Sequence, residues 1–442
     1  MSLLIKGGRV IDPARGIDGK ADLLVVDGRI GALGKEISKD RARNATVIDA
    51  RGLIVAPGFI DMHVHLREPG HEEAETIETG TAAAIAGGFT SVACMANTDP
   101  VNDERSVTEM IIAQARRANL ANVFPIAAVS RGLKGEALTD IGELKAAGAV
   151  ALSDDGKPVV DSELMRRALS YARTFGMTVI EHCQDPYLTK GGCMNEGYVS
   201  TVMGLGGMPN AAEAAMAYRD VELAELTGAS VHIAHISTPG AAEAVRRGKA
   251  RGVRVSAEVT PHHFTLTDEA VRSFDTNAKM NPPLRTSGDV RAILDAIKDG
   301  TIDCIASDHA PHHADTKKLE FDEAPFGIVG LETAVPLALH RLYHGGIVDL
   351  VRLIEMFTVN PARILGIPKG TLAPGVDADV TILDPDSPSK IDLASQRSRS
   401  KNSPFDGLSL RGRAVMTIVG GRLLHDARKA PASAAPRKRR RT

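Results

Sequence analysis

Between about Phe59 and about Ala362 the chain alternates short, β-branched apolar runs with segments whose apolar residues recur at three- and four-residue spacing. Strands buried on both faces read as unbroken apolar runs, and their alternation with helical patterns calls for βαβ units around a parallel sheet. The pattern predicts strands ending near His65, Met95, Ala128, Asp155, His182, His235, Val259 and Asp308. Helices are predicted over 72–86, 104–118, 161–175, 211–226, 240–251 and 289–298, several opening on an Asp or Ser near the N-cap. Eight such strands predict an α/β fold, a (β/α)8 TIM-type barrel. The chain ends read differently: residues 4–12, 21–30, 378–384 and 414–422 are short strands, with Asp27-Gly28 as a hairpin signal. Both ends are expected to join in one small β-sandwich domain. The predicted layout is therefore 1–56 and 363–426 for that domain, 57–362 for the barrel, and 427–442 for a basic tail.

Chemistry enters at the strand ends. His63 and His65 close the first barrel run, and residues two apart on a strand point to the same side. Four later apolar runs also end in possible ligands: Asp154-Asp155, Glu181-His182, His235 and Asp308. A (β/α)8 barrel gathers the C-terminal ends of its strands at one mouth, so residues far apart in sequence meet there. Imidazole and carboxylate together suit a metal centre. Of the two adjacent aspartates, either one satisfies the chemistry, since neighbouring strand residues point opposite ways.

Composition narrows the class. With 442 residues, 43% of them hydrophobic, the chain is long enough for one large domain and one small one. No run reaches the roughly 18 apolar residues that span a bilayer, and the N-terminus is too poor in apolar residues for a signal peptide. Cys94, Cys183, Cys193 and Cys304 are widely spaced, which predicts reduced thiols and a cytoplasmic protein. The net charge of −2 hides an asymmetry: seven Lys or Arg and no acid lie from Ala427 onward, leaving the rest at −9. That tail is expected to be solvated and disordered, not a nucleic-acid-binding arm.

Several longer motifs sharpen this reading. Residues 58–70 (GFIDMHVHLREPG), Asn97-Thr98, 153–156, Glu181-His182-Cys183, 235–238, 279–285, 307–312 and 324–332 together resemble the class I dihydroorotases of the amidohydrolase superfamily. Lys401-Asn402-Ser403-Pro404-Phe405 and the flanking β segments look like that family's as well. The resemblance implies one or two Zn2+ ions: His63, His65 and Asp308 on one metal, His182 and His235 on the other, and Asp155 between them. It further implies that Arg67, Asn97 and His312 hold a substrate carboxylate, that His65 borders the substrate, and that Asn281 with the Phe326-Gly327 backbone holds the ring. Related hydantoinases and allantoinases usually bridge their metals with a carboxylated lysine; here the fourth strand ends in Asp154-Asp155-Gly156, and Lys157 follows the glycine. Relatives often carry Pro where Ala96 stands.

The implied reaction is the reversible, zinc-dependent cyclisation of N-carbamoyl-L-aspartate to L-dihydroorotate in pyrimidine biosynthesis. Metal lowers the pKa of bound water to about 7, and Asp308 moves the proton. A homodimer and an aspartate transcarbamoylase partner are also implied, and no membrane. Two other readings stand beside it: a hydantoinase-like or allantoinase-like enzyme, and an inactive scaffold. For single residues the plainer alternatives are an ion pair of Arg67 with Glu68 or Glu72, and an Asx turn at Asn97. His232 is expected to alternate away from His235, His262 and His263 to shape the mouth, and residues 313–324 to form a mobile loop bordered by Gly327 and Gly330.

Overall fold

The structure, a computed structural model, describes residues 2–38, 40 and 42–428. Residues 429–442, most of the expected basic tail, lie outside the described residues, while Ala427 at its start still donates to Val415 O at 2.8 Å.

Eight parallel strands form the barrel: β1 (Phe59–Val64), β2 (Phe89–Cys94), β3 (Asn122–Ala127), β4 (Ala151–Leu152), β5 (Thr178–Glu181), β6 (Val231–Ile233), β7 (Val255–Val259) and β8 (Cys304–Ile305). They pair in strict sequence order, each with the next. A parallel bridge between Val64 and His309 and the His65 N–H to His309 O bond (2.8 Å) join last strand to first. Asp61 adds to that seam, its carboxylate accepting the Ser307 N–H at 3.1 Å. Side chains from seven strands or the residue just beyond them, Ile60, Met62, Ala93, Ile126, Ala151, Ile180, Ala234 and Cys304, pack into one cluster, the filled interior of a barrel. β7 adds polar residues to the interior, Ser256 and Glu258, both buried, and they meet His232 of β6 there.

Helices at Arg105–Ala118, Ser162–Thr174, Asn210–Thr227, Pro239–Ala250 and Ser287–Lys298 lie within two residues of their predicted bounds. The first is shorter than its periodicity suggests and runs Ile77–Gly87. Thr76 caps it, accepting from Thr79 N–H, and Glu75 just before the cap is buried with its carboxylate on the Arg399 N–H (3.0 Å) and the Ser398 hydroxyl. The turn that periodicity would assign to the helix is thus taken by contacts with a distant loop.

Strands from both chain ends, Ser2–Asp12, Ile17–Val26, Arg29–Gly34, Thr46–Asp49, Ile54–Pro57, Val380–Lys390, Ser409–Val419 and Arg422–Asp426, form one hydrogen-bonded sheet. It has its own core, in which Leu3, Ile5, Leu23 and Val25 join Val380, Ile382, Met416 and Ile418. Thr381 and Thr417 fasten it to the barrel by hydroxyl bonds to Gly88 O (2.7 Å) and Ile85 O (2.6 Å). We propose the expected boundaries 1–56, 57–362 and 363–426 as the division between the two.

At the barrel wall Phe357 stacks on Phe59 with ring centroids 5.0 Å apart and meets Phe89 edge-on at 5.8 Å, all three buried. Truncating a packed phenylalanine removes transfer energy and leaves a cavity. Phe357→Ala is therefore expected to cost about 3–5 kcal/mol of stability, read as a lower urea midpoint.

Among the described residues no helix is long and apolar enough to cross a membrane.

Candidate metal centre

At or just past the C-terminal ends of β1, β4, β5, β6 and β8 the structure brings together all six residues expected as ligands. Asp155 lies at the middle: its Oδ1 is 3.4 Å from His63 Nε2 and 3.5 Å from both His182 Nδ1 and His235 Nε2, and its Oδ2 is 3.5 Å from His65 Nε2. Asp308 Oδ1 sits 3.1 Å from His65 Nε2 and 3.5 Å from His63 Nε2. All six are buried. Asp154 points elsewhere, its Oδ1 accepting the N–H groups of Val129 (2.7 Å) and Ser130 (3.0 Å). Of the two adjacent aspartates, it is Asp155 that lies among the histidines. Lys157 is exposed, in a turn closed by its N–H on Asp154 O, away from the cluster.

The hydrogen bonds around the imidazoles decide which nitrogen is free. His63 Nδ1 is 2.7 Å from Glu258 Oε1, His65 Nδ1 is 2.8 Å from Asn97 Oδ1, and His182 Nε2 is 2.8 Å from Gln184 Oε1. Each acceptor fixes the N–H on the outer nitrogen and turns the other nitrogen's lone pair toward Asp155. His63 Nε2 and Asp155 Oδ1 are buried without a hydrogen-bond partner, and His182 Nδ1 lies 2.9 Å from His235 Nε2. A carboxylate ringed by lone pairs, with orphaned donor atoms at its heart, fits a cation of the borderline class that takes nitrogen and oxygen together. His235, with φ 31°, Asp308, with φ 48°, and Arg67, with φ 61°, are three of the eight described non-glycine residues with positive φ. Such strain concentrates where the surrounding structure fixes a functional geometry.

Glu258, not singled out by the sequence, lies beneath this layer. Its Oε1 holds His63, and its Oε2 is 3.2 Å from His232 Nε2, whose Nδ1 is 2.8 Å from Ser256 Oγ. This corrects the expectation that His232 faces away from His235. His232 is on the interior side of β6, and His235 reaches the same interior from beyond the strand end through its unusual backbone. An acid within a fully buried barrel strand was the available signal. Cys304 lies near His232 and Glu258, yet burial pushes its thiol well above the usual range and the carboxylate is committed to two imidazoles. We expect Glu258→Gln to weaken metal affinity about 10–100-fold with the fold intact, measured by chelator competition; unchanged affinity would separate Glu258 from the centre.

Above the buried ligands stands a partly exposed rim. Arg67 bonds to Pro311 O (3.0 Å) and lies 3.4 Å from His312 Nε2. The alternative ion pairs do not form: Glu68 accepts from Ile77 N–H and Glu72 from Gly70 N–H. Burial lowers the Arg67 guanidinium to about 10, so it is still a cation at neutral pH. Asn97 gives its oxygen to His65 and makes no Asx turn. Asn281 Nδ2 is 3.3 Å from His182 Nε2, while its Oδ1 is buried without a partner. His312 Nε2 bonds Phe326 O (2.6 Å), and Gly327 N–H donates to Lys279 O (3.0 Å). At Gly327, φ is 120° and an added Cβ would lie 2.6 Å from Ala310 Cβ, so the glycine is demanded by packing where the sequence suggested a hinge. The neighbouring loop is pinned, Lys317 Nζ donating to Pro325 O (2.8 Å) and Gly327 O (3.0 Å).

Comparison with known proteins agrees with this geometry. A dihydro-orotase-like family model matches residues 52–241, and an amidohydrolase family model matches 203–425. A dihydroorotase of Geobacter metallireducens is 57% identical, covering 96% of this chain and 100% of its own length. The chain belongs to the dihydroorotase family. A second member, from Pelotomaculum thermopropionicum, is 55% identical over 96% of this chain and 98% of its own. Among solved structures, the L-hydantoinase (dihydropyrimidinase) of Arthrobacter aurescens superposes with a TM-score of 0.86 at 26% identity, covering 96% of each chain. The dihydropyrimidinase of Brevibacillus agri, at 24% identity and a TM-score of 0.83, shares the fold. The amidohydrolase family is typically metal-dependent, in keeping with the ligand clusters found here.

Proposed function

We propose that the protein catalyses the reversible cyclisation of N-carbamoyl-L-aspartate to L-dihydroorotate and water in pyrimidine biosynthesis, with one or two Zn2+ ions held by His63, His65, Asp155, His182, His235 and Asp308. The observation that carries this reading is Arg67, a rim guanidinium without a carboxylate partner beside a ligand cluster centred on Asp155. Dihydroorotate bears a carboxylate, and the guanidinium fork suits a carboxylate bidentately. Hydantoin and dihydrouracil have no such group to offer it.

When bound, zinc supplies a hydroxide nucleophile at neutral pH and polarises the ring carbonyl. The remaining work falls to the chain. Arg67, with Asn97 and His312, holds the carboxylate; Asn281, through its unpartnered oxygen, and the Phe326-Gly327 segment orient the ring. In ring opening, Asp308 takes the proton of the attacking water and returns it to the ring nitrogen as the carbon–nitrogen bond breaks. Cyclisation reverses each step.

The hydantoinase-like reading is disfavoured by Lys157, exposed in its turn, and by Arg67; the scaffold reading is disfavoured by a complete ligand set. Four buried free cysteines suit a reducing cytoplasm. The homodimer and the aspartate transcarbamoylase partner are part of the proposal, tested by the mass of the protein alone and mixed. Because cyclisation of the dianion consumes a proton, dihydroorotate should accumulate when the purified zinc protein is given N-carbamoyl-L-aspartate at mildly acidic pH. No product under those conditions would contradict the assignment.

A further inference from the structure

Outside the rim lies a cleft of about 560 Å3 whose wall includes His312, the residue that also touches Arg67. Around it stand Lys317, Lys318, Arg399 and Lys401, against a single acid, Glu73. Lys318 is paired with Asp315 at 2.9 Å. Among the described residues Arg399 and Lys401 have only neutral carbonyl partners, Arg399 on Glu72 O (2.6 Å) and Lys401 on Gln396 O (2.6 Å) and Ser398 O (2.7 Å). Lys317, bonded to Pro325 O and Gly327 O, is buried and its ammonium lowered to about 7, so it adds less charge. Carbonyl dipoles hold such groups in place without neutralising them. The segment that carries Arg399 and Lys401 is itself anchored, since Asn402 accepts from His312 N–H (3.1 Å) and donates to Ala310 O and Gly327 O (3.0 Å each). The residues 401–405 that looked family-like in sequence thus tie this cleft to the catalytic rim.

We infer that the cleft is an electropositive vestibule that binds the dicarboxylate substrate on its way to Arg67, with Arg399 and Lys401 as its principal cations. This rests on the proposed reaction, whose cyclisation substrate is a dianion. A cleft lined by one sign of charge raises the local concentration of the opposite ion, and salt removes the effect. Steering favours both directions of a reversible reaction alike, so substrate and product should both feel it.

The test is the double variant R399A/K401A, assayed on N-carbamoyl-L-aspartate and dihydroorotate across a salt series. At about 10 mM ionic strength, where the screening length is about 30 Å, KM should rise about 5-fold with kcat held. The gap should close by about 0.5 M salt, and R399E/K401E should widen it in dilute buffer. Wild-type KM at low salt, or a rise that persists at high salt, would overturn the vestibule. Should the wild type turn over neither compound, the proposed reaction fails instead. Calorimetric titration with succinate, a minimal dicarboxylate, then judges the cleft: affinity that falls with salt and with R399A/K401A supports it, and equal affinity in both proteins overturns it.

Discussion

Asp155→Ala is expected to lose metal and activity together. Among the described residues Asp155 is the one side chain within 3.5 Å of all four histidines, so its removal takes away the negative charge that those lone pairs surround. With Asp308 left beside His63 and His65 alone, His182 and His235 face each other 2.9 Å apart with no anion between them, and the four nitrogens bind a cation poorly. If the metal supplies several kcal/mol of transition-state stabilisation, its loss lowers kcat about 10^3-fold or more. Metal content by elemental analysis and turnover of dihydroorotate should fall in parallel, with circular dichroism reporting an intact fold. Full activity at normal metal content would show that Asp155 does not hold the centre.

Arg67→Met should separate binding from metal. Methionine keeps most of the side chain's bulk and removes its charge, so the ligands below are left undisturbed while the carboxylate loses its partner. Hydrogen bonds to a charged group are worth about 1.5–3 kcal/mol each, so two of them predict a fall in kcat/KM on dihydroorotate of about 10^2-fold or more. Zinc content should match the wild type. Unchanged kinetics would remove Arg67 from the substrate pocket, and lost metal would make it a structural prop of the rim.

How these sites came to be legible varies with the distance over which the information travels. The strand ends were readable because doubly buried parallel strands are continuous apolar runs, and a ligand at the end of such a run stands out: His182 directly follows β5 and Asp308 stands three residues past β8. The barrel's rule that strand ends share a mouth gathered the candidate ligands, while the resemblance to dihydroorotases chose Asp155 among them. The orientation of Asp154 against Asp155 was not readable from alternation, because β4 ends at Leu152 and both aspartates lie beyond its ladder. What turns Asp154 aside is the pair of N–H groups at Val129 and Ser130, contributed by a neighbouring loop. His232 was misread for the opposite reason: alternation held for it, and His235 broke the rule by leaving the strand with positive φ. The role of Glu258 was not readable, although an acid inside a barrel strand was a signal, because its partners, His63 and His232, come from two other strands. The start of the first barrel helix was misplaced because Glu75 is claimed by residues more than three hundred positions away.

The most direct test of the central claim is ring opening by the zinc-loaded protein and by the same protein stripped of metal, with dihydroorotate set beside hydantoin, dihydrouracil and allantoin. The account predicts turnover confined to dihydroorotate, abolished by stripping and restored by zinc. Turnover of an uncharged ring at a comparable rate, or undiminished activity without metal, would contradict it.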